Sequence, residues 1–319
     1  MEFGVGLHSI GIDIGGTKIA AGLVSPDGEL SQLIKVPSPA SDPDLMAKTV
    51  VDLIDQLAEG REIEAVGIAA AGFIDAERNE ILYSPNLQWR HEPLRTRVQE
   101  MVSYPVTLEN DANAAAWAEF RFGSGKKAQS MVMLTIGTGV GGAIIADGKL
   151  IRGGFGIGGE LGHIRLINGG RQCGCGQRGC LEQYGSGTAF LKAARKLATS
   201  DGPAGRRLRE LASENGILGG AEVSQAITEG DVGALSLLRE LGDYLGQGLA
   251  SIVAALDPEV CIVGGGVSIA GEKLTEPIYF SYLNNLPAKG YRPELEVIAA
   301  KLGNEAGIIG AADIARSGS

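Results

Sequence analysis

The stretch GELGHIRLINGGRQCGCGQRGCLEQYGSG, residues 159–187, sets His163 upstream of Cys173, Cys175 and Cys180. Three soft sulfurs and one imidazole suit a tetrahedral Zn2+. Three of the chain's four cysteines fall inside eight positions, which reads as a metal site rather than a disulfide framework. With all four positions filled by protein, no place is left for the water that a catalytic zinc activates, so the metal is expected to act as a brace. Glu160 lies three residues before His163, and Glu182 two after Cys180. Bracing the loop would fix both carboxylates, which are good acceptors for the hydroxyls of a sugar.

Three glycine-rich turns point to a phosphate grip. DIGGTK, residues 13–18, lies between two apolar strands and not ahead of a helix, which excludes the dinucleotide fingerprint and the Walker A loop. A turn of Gly15, Gly16 and Thr17 can still aim backbone N–H groups at a phosphate. Asp13 can hold Mg2+ through water, and Lys18 can reach a phosphate oxygen. The plain alternative is a tight hairpin with a surface lysine. A second turn, GTGVGG at 137–142, carries Thr138 and Gly139 in a matching place. Two such loops can grip one phosphate chain from opposite sides. The third, GGGV at 264–267, would let adenine lie against the backbone of Gly265 and Gly266, or is simply a strand-to-helix connection.

ENDANAAAWAE, residues 109–119, puts Glu109, Asn110 and Asp111 at a strand-to-helix junction. Asn110 or Asp111 can cap the helix. Alternatively Asp111 deprotonates a hydroxyl and Asn110 binds its neighbour. An aspartate is a usable base in phosphoryl transfer, where positioning and charge stabilisation supply most of the catalysis.

The elements that must position these residues alternate between strand and helix. IGIDIGGTKIAAGLVSPDGEL (10–30) and VMLTIGTGVGGAIIADGKL (132–150) share one order: strand, glycine turn, strand, Asp-Gly turn. Asp-Gly between apolar runs is a strong hairpin signal. The repeat suggests two domains of similar topology facing each other. SDPDLMAKTVVDLIDQLAEG reads as a helix capped by Asp42, with Pro43 in its first turn and Gly60 at its end. Leu45, Val50, Ile54 and Leu57 form its expected apolar face. EAVGIAAAG and EVCIVGGG read as buried strands, the latter with Cys261 as a core thiol. SYPVTLEND reads as a strand running into a helix, 231–256 and 306–316 as helices, and 200–220 as a surface connection. The class is α/β with mixed sheets.

At 319 residues the chain is long enough for two domains. Its net charge of −10 argues against nucleic acid as a partner. No apolar run reaches membrane-spanning length and no secretion signal is visible, so no membrane partner is expected and the location is expected to be cytoplasmic. A reducing cytosol keeps clustered thiols free for metal.

In this order, DIGGTKIAAG, ENDANAAAWAE, TIGTGVGGAIIADGKLIRGGFGIGGELGH and CGCGQRGCLEQYGSG resemble the ROK family of repressors, open-reading-frame proteins and sugar kinases. SPNLQWRHEPL is most similar to that family's bacterial ATP-dependent glucokinase branch. The resemblance implies the actin-like, hexokinase-type (ribonuclease-H-like) fold, two α/β domains around a central cleft. The smaller domain is expected at 1–110 plus about 303–319, and the larger, with the zinc loop, at 111–302. It implies glucose and ATP as partners, a structural Zn2+, Mg2+ positioned by Asp13, and phosphate contacts from Thr17, Lys18, Thr138 and Gly139. Asp111 would take the proton of the sugar 6-hydroxyl. Asn110, Glu160, His163 and Glu182 would hold the other hydroxyls, His163 with one ring nitrogen on zinc and the other on sugar. Gly72 and Asn86 match positions near the sugar, although AAAGFID lacks the proline often seen before that glycine. A homodimer or homotetramer is implied. Repressors of the family carry a DNA-binding element first, whereas twelve residues precede Asp13 here. The alternatives are another hexose (N-acetylglucosamine, N-acetylmannosamine, mannose or fructose), polyphosphate as donor, and a catalytically idle sugar-binding regulator.

Overall fold

The computed structural model describes residues 7–318, so the outermost residues of the expected domain limits lie outside it. The chain opens with β1 (His8–Ile14), β2 (Lys18–Val24), β3 (Leu30–Pro37), α1 (Pro43–Ala58) and β4 (Ile63–Ala70). Three short strands, β5 (Phe73–Ile74), β6 (Ile81–Ser84) and β7 (Trp89–Glu92), lead through α2 (Leu94–Gln99) to β8 (Val106–Asn110) and α3 (Asp111–Phe122). Next come β9 (Met131–Ile136), β10 (Val140–Ala146), β11 (Lys149–Leu150) and the helices α4 (Glu182–Gly185), α5 (Gly187–Ala198), α6 (Arg206–Asn215), α7 (Gly220–Glu229) and α8 (Val232–Leu256). The chain closes with β12 (Val260–Gly264), α9 (Glu272–Asn285), β13 (Glu296–Ala299) and α10 (Ala306–Ser317). Among the described residues no helix is long and apolar enough to cross a membrane.

Two compact units result: Met1–Met131 with Ala143–Gly159 and Lys301–Ser319, and Val132–Gly142 with Glu160–Ala300. The first unit's main sheet runs β3-β2-β1-β4-β8. β1 to β3 form the expected antiparallel meander, while β1, β4 and β8 are parallel. The register pairs Asp13 with Ala69 and Ala69 with Glu109, so the carboxyl ends of these strands finish level. In open α/β sheets that edge is where ligands bind. The second large sheet runs β11-β10-β9-β12-β13, with β12 and β13 parallel. Its Asp-Gly turn has both residues at positive φ, Asp147 at 50° and Gly148 at 73°, as a type I′ hairpin requires.

α1 starts as its sequence predicts: the Asp42 carboxylate accepts the Leu45 N–H at 3.0 Å, and Pro43 is the first helical residue. Leu45, however, is 49% exposed. The buried face is Met46, Val50, Leu53, Ile54 and Leu57, rotated by one residue in the first turn. Segment 200–220 is not a mere connection, because Leu208 and Leu211 bury one side of α6. Gly216, left-handed at φ 76°, marks the end of that helix.

The main sheet of the first unit carries apolar cores on both faces. One joins Ile10, Ile12 and Ile68 to Met46, Val50 and Ile54 of α1. The other joins Ala20, Val24 and Ala118 to Ile308, Ile309 and Ala312 of α10. α10 lies on the strands almost backbone to backbone. A Cβ on Gly11 would stand 1.9 Å from the Ile308 carbonyl oxygen, and one on Gly67 1.9 Å from that of Ala311. A Cβ on Gly310 would stand 1.7 Å from the Ala114 oxygen of α3. The buried Asp313 carboxylate accepts Trp117 Nε1–H at 2.8 Å and Arg121 Nε–H at 3.0 Å, tying the two helices further. These contacts hold α3 in the first unit.

Candidate active site

In the first unit Asp13 ends β1 and Asp111 opens α3. Burial raises both carboxyls above the ordinary carboxylate range. Asp13 is held at about 6, by burial first and then by the charge of Asp111, with Lys18 pulling the other way. Asp111 is raised by burial, tempered by backbone N–H groups including that of Ala112, which donates to its Oδ1 at 2.9 Å. Two neighbouring carboxyls shifted in this way mark a place where a proton or a cation is handled. The donor set suits Mg2+, whose charge would relieve their repulsion.

The cap left open by the sequence is Asn110. Its Oδ1 accepts the Asn113 N–H at 3.0 Å, while its Nδ2 donates to the Gly72 carbonyl at 3.0 Å. Gly72 has φ 142°, and a Cβ there would lie 2.7 Å from the Tyr83 carbonyl oxygen, so only glycine fits. The DIGGTK turn closes through Gly15 N–H to the Lys18 carbonyl at 3.0 Å, leaving Thr17 and Lys18 exposed. A Cβ on Gly16 would lie 2.9 Å from the Asn86 carbonyl oxygen, which sets Asn86 against this turn.

Glu109 and Arg152 were not singled out by their types. Glu109 is 2% exposed; its Oε1 accepts the Asn110 N–H at 3.0 Å and Asn113 Nδ2–H at 2.9 Å. Its Oε2 meets the Arg152 guanidinium at 2.6 Å through both Nε and Nη2. Glu109 thus holds the turn that presents Asp111. The available signal was a carboxylate inside the apolar strand VTLEN, since a buried charge must be paired.

In the second unit, one ligand atom from each of His163, Cys173, Cys175 and Cys180 falls within 4.8 Å of the others. The Cys175 and Cys180 sulfurs are 3.7 Å apart, as are Cys173 Sγ and His163 Nδ1. Tetrahedral zinc bonds of about 2.3 Å to sulfur and about 2.0 Å to nitrogen space their ligands by about 3.5–3.8 Å. Burial and the neighbouring thiols push Cys180 up to about 12, a cost that a bound cation reverses. The cluster is compatible with a structural zinc and leaves no open position. His163 Nε2 faces Glu160, 4.0 Å from its Oε2. The turn at 137–140 closes through Gly137 N–H to the Gly139 carbonyl at 3.0 Å. Gly265 is left-handed at φ 86°, where a Cβ would lie 2.5 Å from the Ile136 oxygen, and Gly266 enters a short 3-10 turn.

The expected sugar ligands therefore fall into two groups, Gly72, Asn86, Asn110 and Asp111 in the first unit and Glu160, His163 and Glu182 in the second. The expected nucleotide ligands divide likewise, Gly15, Gly16, Thr17 and Lys18 in the first, Thr138, Gly139, Gly265 and Gly266 in the second.

Among curated proteins, the chain is 44% identical over 310 residues to a glucokinase of Streptomyces coelicolor, covering 97% of each chain. It is 35% identical to a glucokinase of Halalkalibacterium halodurans, covering 94% of this chain and 92% of that one. Among solved structures, a ROK family glucokinase from Streptomyces griseus, in complex with glucose and AMPPNP, superposes with a TM-score of 0.88. The two are 43% identical, over 97% of this chain and 99% of that one. The expected actin-like, hexokinase-type fold is the fold found. The family model described as ROK family matches residues 9–317. From the first strand to the last helix, then, the chain belongs to the ROK family.

Proposed function

We propose that this protein is an ATP-dependent glucokinase, transferring the γ-phosphoryl group of Mg-ATP to the 6-hydroxyl of D-glucose. One observation carries the reading: a half-buried carboxyl, Asp111, stands at the ligand-binding edge of the sheet beside Asp13, its turn held by Glu109 and Asn110. The 44% identity to a curated glucokinase and the likeness to a glucokinase holding glucose and AMPPNP support the choice of sugar and donor.

Asp111 accepts the O6 proton as oxygen attacks the γ-phosphorus and the bond to the β–γ bridging oxygen breaks, releasing ADP. Its raised proton affinity favours that transfer. Asn110 spends one amide N–H on Gly72 and keeps the other for a neighbouring hydroxyl. Gly72 and Asn86 shape the sugar's place in the first unit, and Glu160, His163 Nε2 and Glu182 bind further hydroxyls. Thr17 and Lys18, with the backbone of Gly15, Gly16, Thr138 and Gly139, hold the phosphates, and Gly265 and Gly266 face the adenine. Asp13 would hold Mg2+, which when bound would supply charge neutralisation on the phosphates. His163, Cys173, Cys175 and Cys180 would hold a zinc ion that supplies rigidity.

Changing Asp111→Asn tests this directly. ADP release in a coupled assay is expected to vanish while calorimetry still detects glucose binding; near-wild-type turnover would overturn the assignment. A hexose panel with ATP and polyphosphate as donors checks the substrate. The proposed setting is the cytoplasm, in keeping with four cysteines that are all free, and the proposed assembly is a homodimer or homotetramer, which light scattering distinguishes.

A further inference from the structure

The Glu182 carboxylate reaches beyond a sugar. Its Oε2 accepts the Val140 N–H at 3.2 Å, and its Oε1 lies 3.7 Å from Cys173 Sγ. The identity of Gly139 follows from the same carboxylate, because a Cβ there would stand 2.2 Å from Oε2. On the carbonyl side, Gly162, next to the ligand His163, packs so closely that its Cβ would fall 1.9 Å from the Val140 oxygen. The segment following the zinc loop takes two more groups of the turn. Gly187 N–H donates to the Gly137 carbonyl at 2.8 Å, and Thr188 Oγ1–H to the Thr138 carbonyl at 2.6 Å. The phosphate turn is thus mounted on the metal loop and on the helix start directly after it.

We propose that Glu182 is a positioning residue for the turn Gly137–Val140, and that the metal loop sets nucleotide affinity through it. The inference rests on the reading of the protein as an ATP-dependent kinase. Backbone N–H groups bind a phosphate tightly only when they are held in place beforehand, since any ordering left to the ligand subtracts from affinity. The four metal ligands hold the loop, Gly162 and Glu182 hold the turn, and loss of the metal loosens both clamps together.

The experiment is calorimetric titration of the full chain with Mg-ADP in the absence of sugar, with zinc content measured on each sample. Removing zinc with a chelator is expected to weaken ADP binding about tenfold, the worth of one hydrogen bond to a charged acceptor. Glu182→Ala is expected to weaken it by a similar factor at unchanged zinc content, and chelation of that variant to add little more. Glu182→Gln, whose amide oxygen still accepts from Val140, restores ADP affinity. Glu182→Asp, one methylene short, does not, and it serves if the alanine variant fails to fold. Unchanged ADP affinity after verified zinc loss, or strictly multiplicative effects of chelation and Glu182→Ala, would overturn the inference. Glucose phosphorylation and ADP binding by the zinc-loaded wild type are measured first. Where both are present, a negative result sinks the coupling alone; where neither is, the kinase reading falls with it.

Discussion

Replacing Asp13 by asparagine should make the protein more stable while making it useless. The Asp13 carboxyl is held at about 6 against an ordinary 3.8, chiefly by burial and next by the charge of Asp111. The folded protein therefore binds this proton more tightly than the unfolded chain does. Below pH 3.8 both states are protonated and the group has no effect. Between about pH 4 and 6 the unfolded chain ionises first, so stability falls as pH rises, and above 6 the full penalty is present. At about 1.4 kcal/mol per tenfold change in proton affinity, that penalty is about 3 kcal/mol at most. Asparagine has nearly the same shape and no charge. In the presence of a chelator of divalent cations, Asp13→Asn should gain up to this amount in urea melts at pH 7.5, with the gain shrinking to nothing by pH 4. Mg-ADP should stabilise the wild type far more than the variant, since the variant lacks the carboxylate proposed to hold Mg2+. A stability difference independent of pH, or a variant weaker than wild type at pH 7.5, would refute the reasoning.

The other expectations concern packing and the metal. Arg152→Met removes the guanidinium bonded to the buried Glu109 carboxylate and should cost about 3–5 kcal/mol in urea melts. Gly310→Ala drives a methyl group into the Ala114 carbonyl and should cost about 3 kcal/mol or more, whereas Gly220→Ala, in open space at the start of α7, should change stability by about 1 kcal/mol or less, in the stabilising direction. Cys175→Ser should lower zinc content in elemental analysis and weaken glucose binding; full zinc occupancy in that variant would remove Cys175 from the ligand set.

Local signals in the sequence translated well into structure. Asp42, Pro43 and Gly60 bounded a helix, and the two Gly-turn hairpins proved to be paired strands in two separate sheets. The Cys and His spacing brought four ligand atoms together, because the ligands lie within 18 residues of one another on a loop that must fold back on itself. What escaped were contacts spanning long stretches of chain. Gly11, Gly67 and Gly310 are glycines because α10 lies on β1, β4 and α3, and no short window shows it. The pairing of Glu109 with Arg152 spans 43 residues. The packing of α3 on a helix almost 200 residues later is likewise invisible in any short stretch. Glu182 looked like a ligand by family pattern, and its second task became visible only with Gly139 and Val140 beside it.

The helix that closes the first unit is synthesised after the whole of the second. On the ribosome, β1, β4 and α3 emerge early, and residues 160–300 follow before Ala306–Ser317 appears. Throughout that interval the glycine-lined face awaiting the helix is uncovered, with its strands made and their cover missing. The nascent chain must keep that face from other nascent chains, a hazard that grows with crowding and slow translation. A message cut short before residue 301 would yield a complete second unit attached to a first that lacks its final layer.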